Sequence, residues 1–168
     1  WRGGLVDEGL PQLLTDVAWG ELDILLVDLP PGTSDVHLAL AGHVELAGVV
    51  TVTAPGQISA QDVRRGMEMF ADVAVPCLGI VENLSGVACR RCGHTEPLFG
   101  AGGGDELAGE AGLHLLARLP FLPDLEAAAA DGVPVALSRP QSRAAALFHD
   151  LADRIRDSLE RRSEETSP

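Results

Sequence analysis

The stretch Asp23–Asp35, with the sequence DILLVDLPPGTSD, decides the fold of this chain. An almost wholly apolar run ends at Asp28 and is followed by Pro-Pro-Gly-Thr and a second aspartate, Asp35. Such a run predicts a strand that is covered on both faces, as in a parallel sheet. Open parallel sheets bind ligands outside the carboxyl ends of their strands. Asp28 is therefore predicted to lie at a ligand-binding edge.

The residues around Asp28 have the chemistry of a phosphate site. A carboxylate suits Mg²⁺, which takes one or two protein carboxylates and completes its shell with water and phosphate oxygens. The Pro30–Gly32 turn would let the Gly32 amide approach a γ-phosphate. Asp35 follows at a predicted helix start, where it is also a plausible cap. These features are typical of the magnesium side of a P-loop nucleotidase; the alternative is an ordinary strand-to-helix connection.

The phosphate-binding loop of such enzymes, G-x-x-x-x-G-K-[ST], does not occur in the 168 residues. The chain also opens on Trp1 rather than Met. Both observations indicate a piece of a longer reading frame, with the N-terminal P-loop part missing.

Composition limits the class of protein. Hydrophobic residues make up 46% and charged residues 22%, as in a single globular domain. The net charge of −13 argues against a nucleic-acid or anionic-membrane surface. No apolar run is long enough to span a bilayer, and no signal-peptide pattern opens the chain. We expect a cytoplasmic protein with no nucleic-acid or membrane partner.

Strand and helix patterns alternate along the chain, which predicts an α/β fold: a mostly parallel sheet with helices on both faces. The domain is predicted over residues 1–161, with a cysteine-loop insert at about 83–104 and a disordered tail at 162–168. The predicted strands are 23–28, 48–53, 77–82 and 114–119. The predicted helices are 35–42, 59–73 (capped by Ser59), 105–112, 124–131 and 142–161 (capped by Ser142), with helical spacing also over 5–19.

A C-x-x-C pair, Cys89 and Cys92, lies in the predicted insert. Its two thiolates can bind one metal ion or cluster, but zinc or a [4Fe–4S] cluster takes four ligands. His94 is a candidate third ligand; otherwise a second chain brings its own pair across a two-fold axis. The neighbouring Arg90 and Arg91 would lower the thiol pKa values. A free surface dithiol and half of a degenerate zinc knuckle are the alternatives.

Three further features are less specific. Asn83, at the end of a predicted strand, either contacts an adenine edge or terminates the strand. Cys77, in an apolar strand, is predicted to be a small buried hydrophobic residue. The run Gly100–Gly104 lacks a lysine and is predicted to give slack to the cysteine loop. The histidines, including His37, are predicted to be ordinary core or surface residues.

Over about residues 1–155 the chain closely resembles the Mrp (ApbC-like) family. That family comprises MinD-type P-loop ATPases that act as scaffolds or carriers for iron–sulfur clusters. Several segments carry the resemblance: WGELDILLVDLPPGTSDVHL, VTVTAPGQIS, VPCLGIVENLS, the C-x-x-C-GH, LFGAGGG and RLPFLPDL.

The resemblance implies a nucleotide site that uses ATP and Mg²⁺. Asp28 would be the Walker B aspartate and the turn Pro30–Asp35 would be switch II. Asn83 would contact the adenine, and the loop around Pro120 and Pro123 would flank it. A deviant Walker A loop would lie upstream of residue 1.

The resemblance also implies a cluster site. Cys89 and Cys92 would pair with their counterparts in a second subunit and hold a [4Fe–4S] cluster across a homodimer. Apo iron–sulfur proteins would receive that cluster. This chain has C-R-R-C where the family commonly has C-P-x-C, so its loop is expected to be looser.

The function expected from these residues is that of an ATP-dependent iron–sulfur cluster carrier. Because the phosphate-binding loop is missing, we expect little or no ATPase activity from this chain alone. The alternative is a non-enzymatic zinc- or cluster-binding dimer module with a vestigial nucleotide site. A MinD-type positioning ATPase is less favoured, because the last helix carries mixed charges and not a basic membrane-binding face.

Overall fold

The computed structural model describes residues 9–89 and 91–166. Its sheet is built around β2 (Cys77–Ala88), which pairs in parallel with β1 (Val49–Thr53) on one side and with β4 (Leu115–Phe121) on the other. The short β3 (Thr95–Glu96) pairs antiparallel with the end of β2. The α-helices are α1 (Asp35–His43), α2 (Gln57–Asp72), α3 (Gly103–Ala111), α4 (Pro123–Ala130), α5 (Val135–Ser138) and α6 (Arg143–Thr166).

Helices cover both faces of the sheet, as predicted. Successive side chains of a strand point to opposite faces, and Ile80 and Val81 in the centre of β2 illustrate this. Ile80 packs in a cluster with side chains of α2 and α3, whereas Val81 packs in a cluster with side chains of α6. The members on the first face are Val63, Met67, Leu107 and Ala108; those on the second are Leu116, Leu119, Leu147, Leu151 and Ile155.

The strand predicted at 77–82 is longer than expected and runs to Ala88. Its extension is held by β4, through the pairing of Val87 with Phe121, and by β3, through the pairing of Ala88 with Thr95. Residues 83–88 are therefore strand, and the prediction of a loop from Asn83 onward is wrong. The extension depends on pairing with other strands. It could not be predicted, because a two-residue partner strand leaves no pattern in the sequence.

The strand predicted at 23–28 is absent: these residues are irregular and exposed. A strand needs a hydrogen-bonded neighbour. Within the described residues, 23–28 pair with no strand, and the outer edge of β1 is also unpaired. The segment instead faces β1 across an open cleft of about 2370 Å³. Leu26, at the centre of the apolar run, is 82% exposed, although its sequence is that of a buried strand.

The helix ends follow local hydrogen bonding. Ser142 caps α6 as predicted, since its Oγ accepts the N–H of Ala145 at 3.1 Å. Ser59 is not a cap, because α2 begins at Gln57 after the cap residue Gly56. Ser34 precedes α1, and its N–H donates to Nδ1 of the buried His37 at 3.3 Å.

Both chain ends differ from prediction. α6 continues to Thr166, so the predicted tail is helical up to that residue, and 167–168 lie outside the described residues. Within the helix predicted at 5–19, residues 9–11 are helical and are followed by a π-helical turn, Gln12–Asp16; residues 5–8 lie outside the described part. Among the described residues, no helix has the length and apolar character needed to cross a membrane.

Candidate functional site

The register of β2 and β4 places the predicted adenine-contacting residues at one edge of the sheet. Asn83 pairs with Leu119, and Pro120 follows within β4 as a buried residue. Pro123 is the first residue of α4, a position that suits proline because its missing N–H has no intrahelical partner there. The three residues predicted from the resemblance thus lie beside the middle of β2 and around the carboxyl end of β4.

Asn83 is exposed at a break in the strand pairing. Its Oδ1 accepts the N–H of Leu84 at 2.9 Å. Leu84 has a φ of 56°, a left-handed conformation that is uncommon for a residue with a side chain, and the register with β4 shifts between Asn83 and Val87. Strained residues of this kind concentrate at ligand sites. The bulge presents the Asn83 side chain to solvent.

Glu82 lies directly behind Asn83 and was missed by the sequence analysis. It is 2% exposed, and its Oε2 accepts the N–H of Gly104 at 2.8 Å. Nε of Arg118 lies 3.7 Å from Oε1 of Glu82, and the same guanidinium is ion-paired with Asp105. The signal for Glu82 was present in the sequence: like the run that ends at Asp28, CLGIVE is an apolar run that ends in a carboxylate.

The glycine-rich run was predicted to give slack to the cysteine loop, and this prediction is wrong. The run instead lets α3 pack closely. Gly103 and Gly104 are buried in the first turn of α3. A Cβ on Gly104 would lie 2.9 Å from both Cβ and Oε2 of Glu82, and one on Gly103 would collide with the carbonyl of Pro55. Only residues without a side chain allow this approach, so the run packs the first turn of α3 against Glu82 in β2 and against Pro55, just after β1.

The structure does not bring the predicted magnesium and γ-phosphate residues to that edge. Asp28 and Gly32 line the wide cleft beside β1, and Gly32 has a φ of 82° with open space around it. Asp35 is the exposed first residue of α1 and lies on a separate groove with Arg65. Because the segment before Asp28 is unpaired, no strand delivers this carboxylate to the edge where Asn83 lies.

The C-x-x-C pair lies in the turn of a β-hairpin, which we call the cysteine turn: Cys89 with residues 91–94. Cys89 directly follows β2, and its N–H donates to the carbonyl of His94 at 2.7 Å. The N–H of Gly93 donates to the carbonyl of Cys89 at 2.8 Å. Both Cys89 and Cys92 are exposed free thiols. The hairpin therefore presents a reduced dithiol to solvent on a hydrogen-bonded frame.

Hydrogen bonds within the cysteine turn lower the pKa of Cys89. The largest contribution comes from the backbone of Arg91, followed by the backbone and then the side chain of Cys92. Donors aimed at the sulfur stabilise the thiolate, which is the form that binds metals. The direction agrees with the prediction, but the cause is the turn itself and not the Arg91 guanidinium; Arg90 lies outside the described residues.

Among the described residues, no third ligand accompanies the dithiol. No group of three or more histidine, cysteine or acidic side chains suited to a metal occurs in the part of the chain that the structure describes. His94, a candidate third ligand, does not gather with the two thiols: its Nε2 lies 3.9 Å from Oε2 of Glu96. Cys77 does not join the pair: it is half-buried, with Sγ 3.4 Å from Oγ1 of Thr51.

The base of the hairpin is anchored to the helices of the C-terminal half. Ala88, which precedes Cys89, packs against a buried cluster formed by Leu122, Ala128, Val135 and Ala144. In addition, Nη1 of Arg143 donates to the carbonyl of Gly93 at 3.3 Å. Neither contact was predicted, because both join segments that are far apart in sequence.

Comparison with known proteins gives relatives along almost the whole chain. It is 45% identical over 152 residues to an iron-sulfur cluster carrier protein of Pseudomonas fragi, covering 90% of this chain and 53% of the relative. It is 43% identical over 155 residues to the protein of the same name in Escherichia coli K12, covering 92% and 42%. The mouse iron-sulfur cluster transfer protein NUBPL is 39% identical over 155 residues, covering 92% and 49%. The chain thus spans about half the length of these relatives.

Two solved structures share the fold. A nucleotide-binding protein from Archaeoglobus fulgidus in complex with ADP superposes with a TM-score of 0.66 at 36% identity, covering 73% of this chain and 51% of that one. The cell-division ATPase MinD of Pyrococcus furiosus superposes with a TM-score of 0.63 at 21% identity, covering 93% and 59%. The second likeness concerns the fold alone and supports a MinD-like P-loop NTPase architecture.

A family model described as ParA, NUBPL iron-transfer P-loop NTPase, matches residues 1–156. This match agrees with the resemblance drawn from the motifs and with the relatives at 39–45% identity. The chain belongs to the NUBPL/ParA family of iron-transfer P-loop NTPases.

Proposed function

We propose that this chain is the cysteine-bearing part of an ATP-dependent iron–sulfur cluster carrier. Cys89 and Cys92 bind the cargo, a [4Fe–4S] cluster, and pass it to apo iron–sulfur proteins. The observation that carries the proposal is the cysteine turn, where two exposed thiols lie on a hydrogen-bonded hairpin and the pKa of Cys89 is lowered by donors within the turn. The names of the relatives point to the same cargo.

The cluster is shared between two copies of the chain. A [4Fe–4S] cluster takes four thiolates, and the described part of each chain offers one pair with no further metal-binding side chain beside it. Two exposed pairs that meet across a two-fold axis complete the set. Exposure is what this arrangement requires, since a buried pair could meet neither a second copy nor a recipient protein.

Nucleotide binding uses the middle of β2 and the end of β4. Asn83, Pro120 and Pro123 surround the adenine, while Asp28, Gly32 and Asp35 serve the Mg²⁺ ion and the γ-phosphate once the missing phosphate-binding loop is supplied. The ADP complex of the Archaeoglobus fulgidus relative supports a nucleotide on this fold. For Asp28, the role requires that the segment 23–28 becomes a strand beside β1, whose outer edge has no partner among the described residues.

β2 links the two sites. Asn83 and Cys89 are separated by five residues of the same strand, which corresponds to a span of about 20 Å. The left-handed Leu84 and the register shift lie between them. A change at the adenine end that alters this bulge would therefore move the base of the cysteine turn.

Anaerobic reconstitution with iron and sulfide tests the cluster assignment. We expect four iron and four sulfide ions per two chains, together with a doubling of the molecular mass on light scattering. Both should be lost in Cys89→Ser and in Cys92→Ser. Cys77→Ser is the matched control, since this half-buried thiol lies away from the pair, and it should bind as the unaltered chain does.

The same experiment distinguishes the cluster carrier from the alternative. Zinc bound by the purified dimer without sulfide, and no uptake of iron, would support a non-enzymatic zinc module with a vestigial nucleotide site. A monomer that binds neither metal would refute both assignments.

A further inference from the structure

Arg143 occupies a position that local helix energetics disfavour. It is the first residue of α6, next to the capping Ser142. The N-terminus of a helix carries partial positive charge, so a cation there is unfavourable unless another interaction offsets it. The guanidinium instead contacts a segment that is distant in sequence: Nη1 donates to the carbonyl of Gly93, fifty positions earlier in the chain.

Both backbone polar groups of Gly93 are hydrogen-bonded. Its N–H donates to the carbonyl of Cys89 at 2.8 Å, and its carbonyl accepts from Arg143 at 3.3 Å. Gly93 directly follows Cys92, with a φ of 73°. The Arg143 contact thus acts on the short segment that carries both thiols, although the guanidinium bond is to a carbonyl and not to a sulfur.

The residue next to Arg143 is anchored in the core. The next residue, Ala144, is 1% exposed and belongs to the buried cluster against which Ala88 packs. Ala88 directly precedes Cys89. The start of α6 is therefore linked to the hairpin in two ways. The buried cluster that contains Ala144 packs against the residue before the first cysteine, and a hydrogen bond from Arg143 reaches the residue after the second.

We propose that Arg143 is a positioning residue for the cysteine turn, which it holds against the start of α6 so that bound cargo is released slowly. This inference rests on the proposed function for the identity of the cargo. The guanidinium also places positive charge near a thiolate-bound cluster, whose net charge is negative, in a chain with a net charge of −13. Because it acts through Gly93, Arg143 is not itself a ligand.

Hydrogen exchange of the metal-free chain tests the anchoring step without any cargo. In Arg143→Ala we expect the amides of Cys89 and Gly93 to exchange about fivefold faster, the factor that one hydrogen bond of typical net strength contributes. Arg143→Lys, which keeps the charge and one donor, should restore part of the protection. Arg154→Ala is the matched control, because this exposed arginine lies on the same helix about 16 Å further along.

The anchoring is refuted if exchange of these amides is the same in Arg143→Ala as in the unaltered chain, or if Arg154→Ala accelerates it equally. Amide protection elsewhere in β2 and β4 reports whether the variant is folded. A loss of protection throughout both strands would likewise refute a local role, because it would mean that Arg143 supports the whole sheet.

Release of iron from the loaded chain to a chelator tests the effect on the cargo. We expect Arg143→Ala to take up the same amount of iron and sulfide but to lose it several-fold faster, with Arg154→Ala unchanged. Equal release rates would overturn the positioning role. If the unaltered chain takes up no cluster, the proposed function fails, and the cargo part of this inference fails with it, whereas the exchange result still decides the anchoring of the turn.

Discussion

The backbone N–H of Gly104 donates a hydrogen bond of 2.8 Å to Oε2 of Glu82. This bond joins the first turn of α3 to the strand position next to Asn83, and the Glu82 side chain is buried there. A carboxylate that is removed from water needs donors, and Gly104 together with Arg118 supplies them. The candidate adenine edge therefore rests on a buried polar contact that only a glycine at position 104 permits.

Gly104→Ala should destabilise the fold. The added Cβ would lie 2.9 Å from Cβ of Glu82, and overpacking of this kind costs about 1–3 kcal/mol. Urea unfolding measures the change. Gly109→Ala is the control in the same helix: its Cβ meets nothing within 4 Å, so it should stabilise the chain by up to about 1 kcal/mol through helix propensity. Equal effects of the two changes would contradict the close-packing explanation.

Glu82→Ala should also lower the free energy of unfolding. It leaves the Gly104 N–H without its acceptor in a buried setting, which costs about 1–3 kcal/mol. Glu110→Ala is the comparison, because Glu110 pairs with Arg64 at the exposed surface and such pairs contribute about 1 kcal/mol or less. If Glu110→Ala proves as costly as Glu82→Ala, the buried contact has no special role in stability.

Gly86→Ala should disrupt the hairpin that carries the dithiol. A Cβ at this position would lie 2.5 Å from the carbonyl oxygen of Glu96, and backbone of β3 cannot move away without breaking its pairing with β2. We expect a loss of about 1–3 kcal/mol in urea unfolding and a lower iron content after reconstitution. Gly66→Ala, in open space within α2, is the control and should leave iron uptake unchanged; normal uptake by Gly86→Ala would be the contrary result.

The sequence predicted the layered fold well because its signal is local. The apolar runs of β1 and β4 and the cap at Ser142 act over a few residues, and each was found within one or two positions of its place. The extension of β2 was not predictable, since it depends on pairing with β3 and with the end of β4. The contact between Arg143 and Gly93 escaped for the same reason.

At residues 23–28 the sequence predicted a strand that the structure does not contain. Their pattern is that of a central strand, yet the pattern specifies only which side chains prefer burial and not which neighbour provides it. Within the described residues, this segment pairs with no strand, not even with the open outer edge of β1, so its apolar side chains stay exposed. The two cysteines are exposed free thiols, and their role as cluster ligands stays a prediction. The pKa of Cys89 is lowered as predicted, but by backbone donors that only the folded turn supplies.

Hydrolysis of ATP by this chain alone should be undetectable. The phosphate-binding loop is not part of the sequence, and Asp28 lies on an irregular, exposed segment. Phosphate release should therefore be the same for the unaltered chain, for Asp28→Ala and for the control Asp23→Ala on the same segment. Turnover that Asp28→Ala abolishes and Asp23→Ala preserves would refute this expectation.

The alkylation of Cys89 should depend on pH in a way that reports the folded turn. Backbone donors from Arg91 and Cys92 lower the pKa of this thiol, so in the folded chain its rate of reaction with iodoacetamide should reach half its plateau at a lower pH than in urea. The thiolate is favoured by folding, and the stabilisation it brings is fully present above the unfolded pKa and is lost as the pH falls through the folded pKa. Mass spectrometry of the peptide that contains Cys89 measures both curves.

The variant Cys92→Ser separates the contributions to that shift. It removes the thiol of Cys92 but keeps the backbone donors, which are the larger causes. The midpoint for Cys89 should therefore rise only part of the way toward its value in urea. A midpoint equal to that in urea would mean that the thiol of Cys92, and not the backbone of the turn, controls the ionisation of Cys89. Because metals bind the thiolate, the same curve fixes the pH below which iron uptake by the cysteine turn should decline.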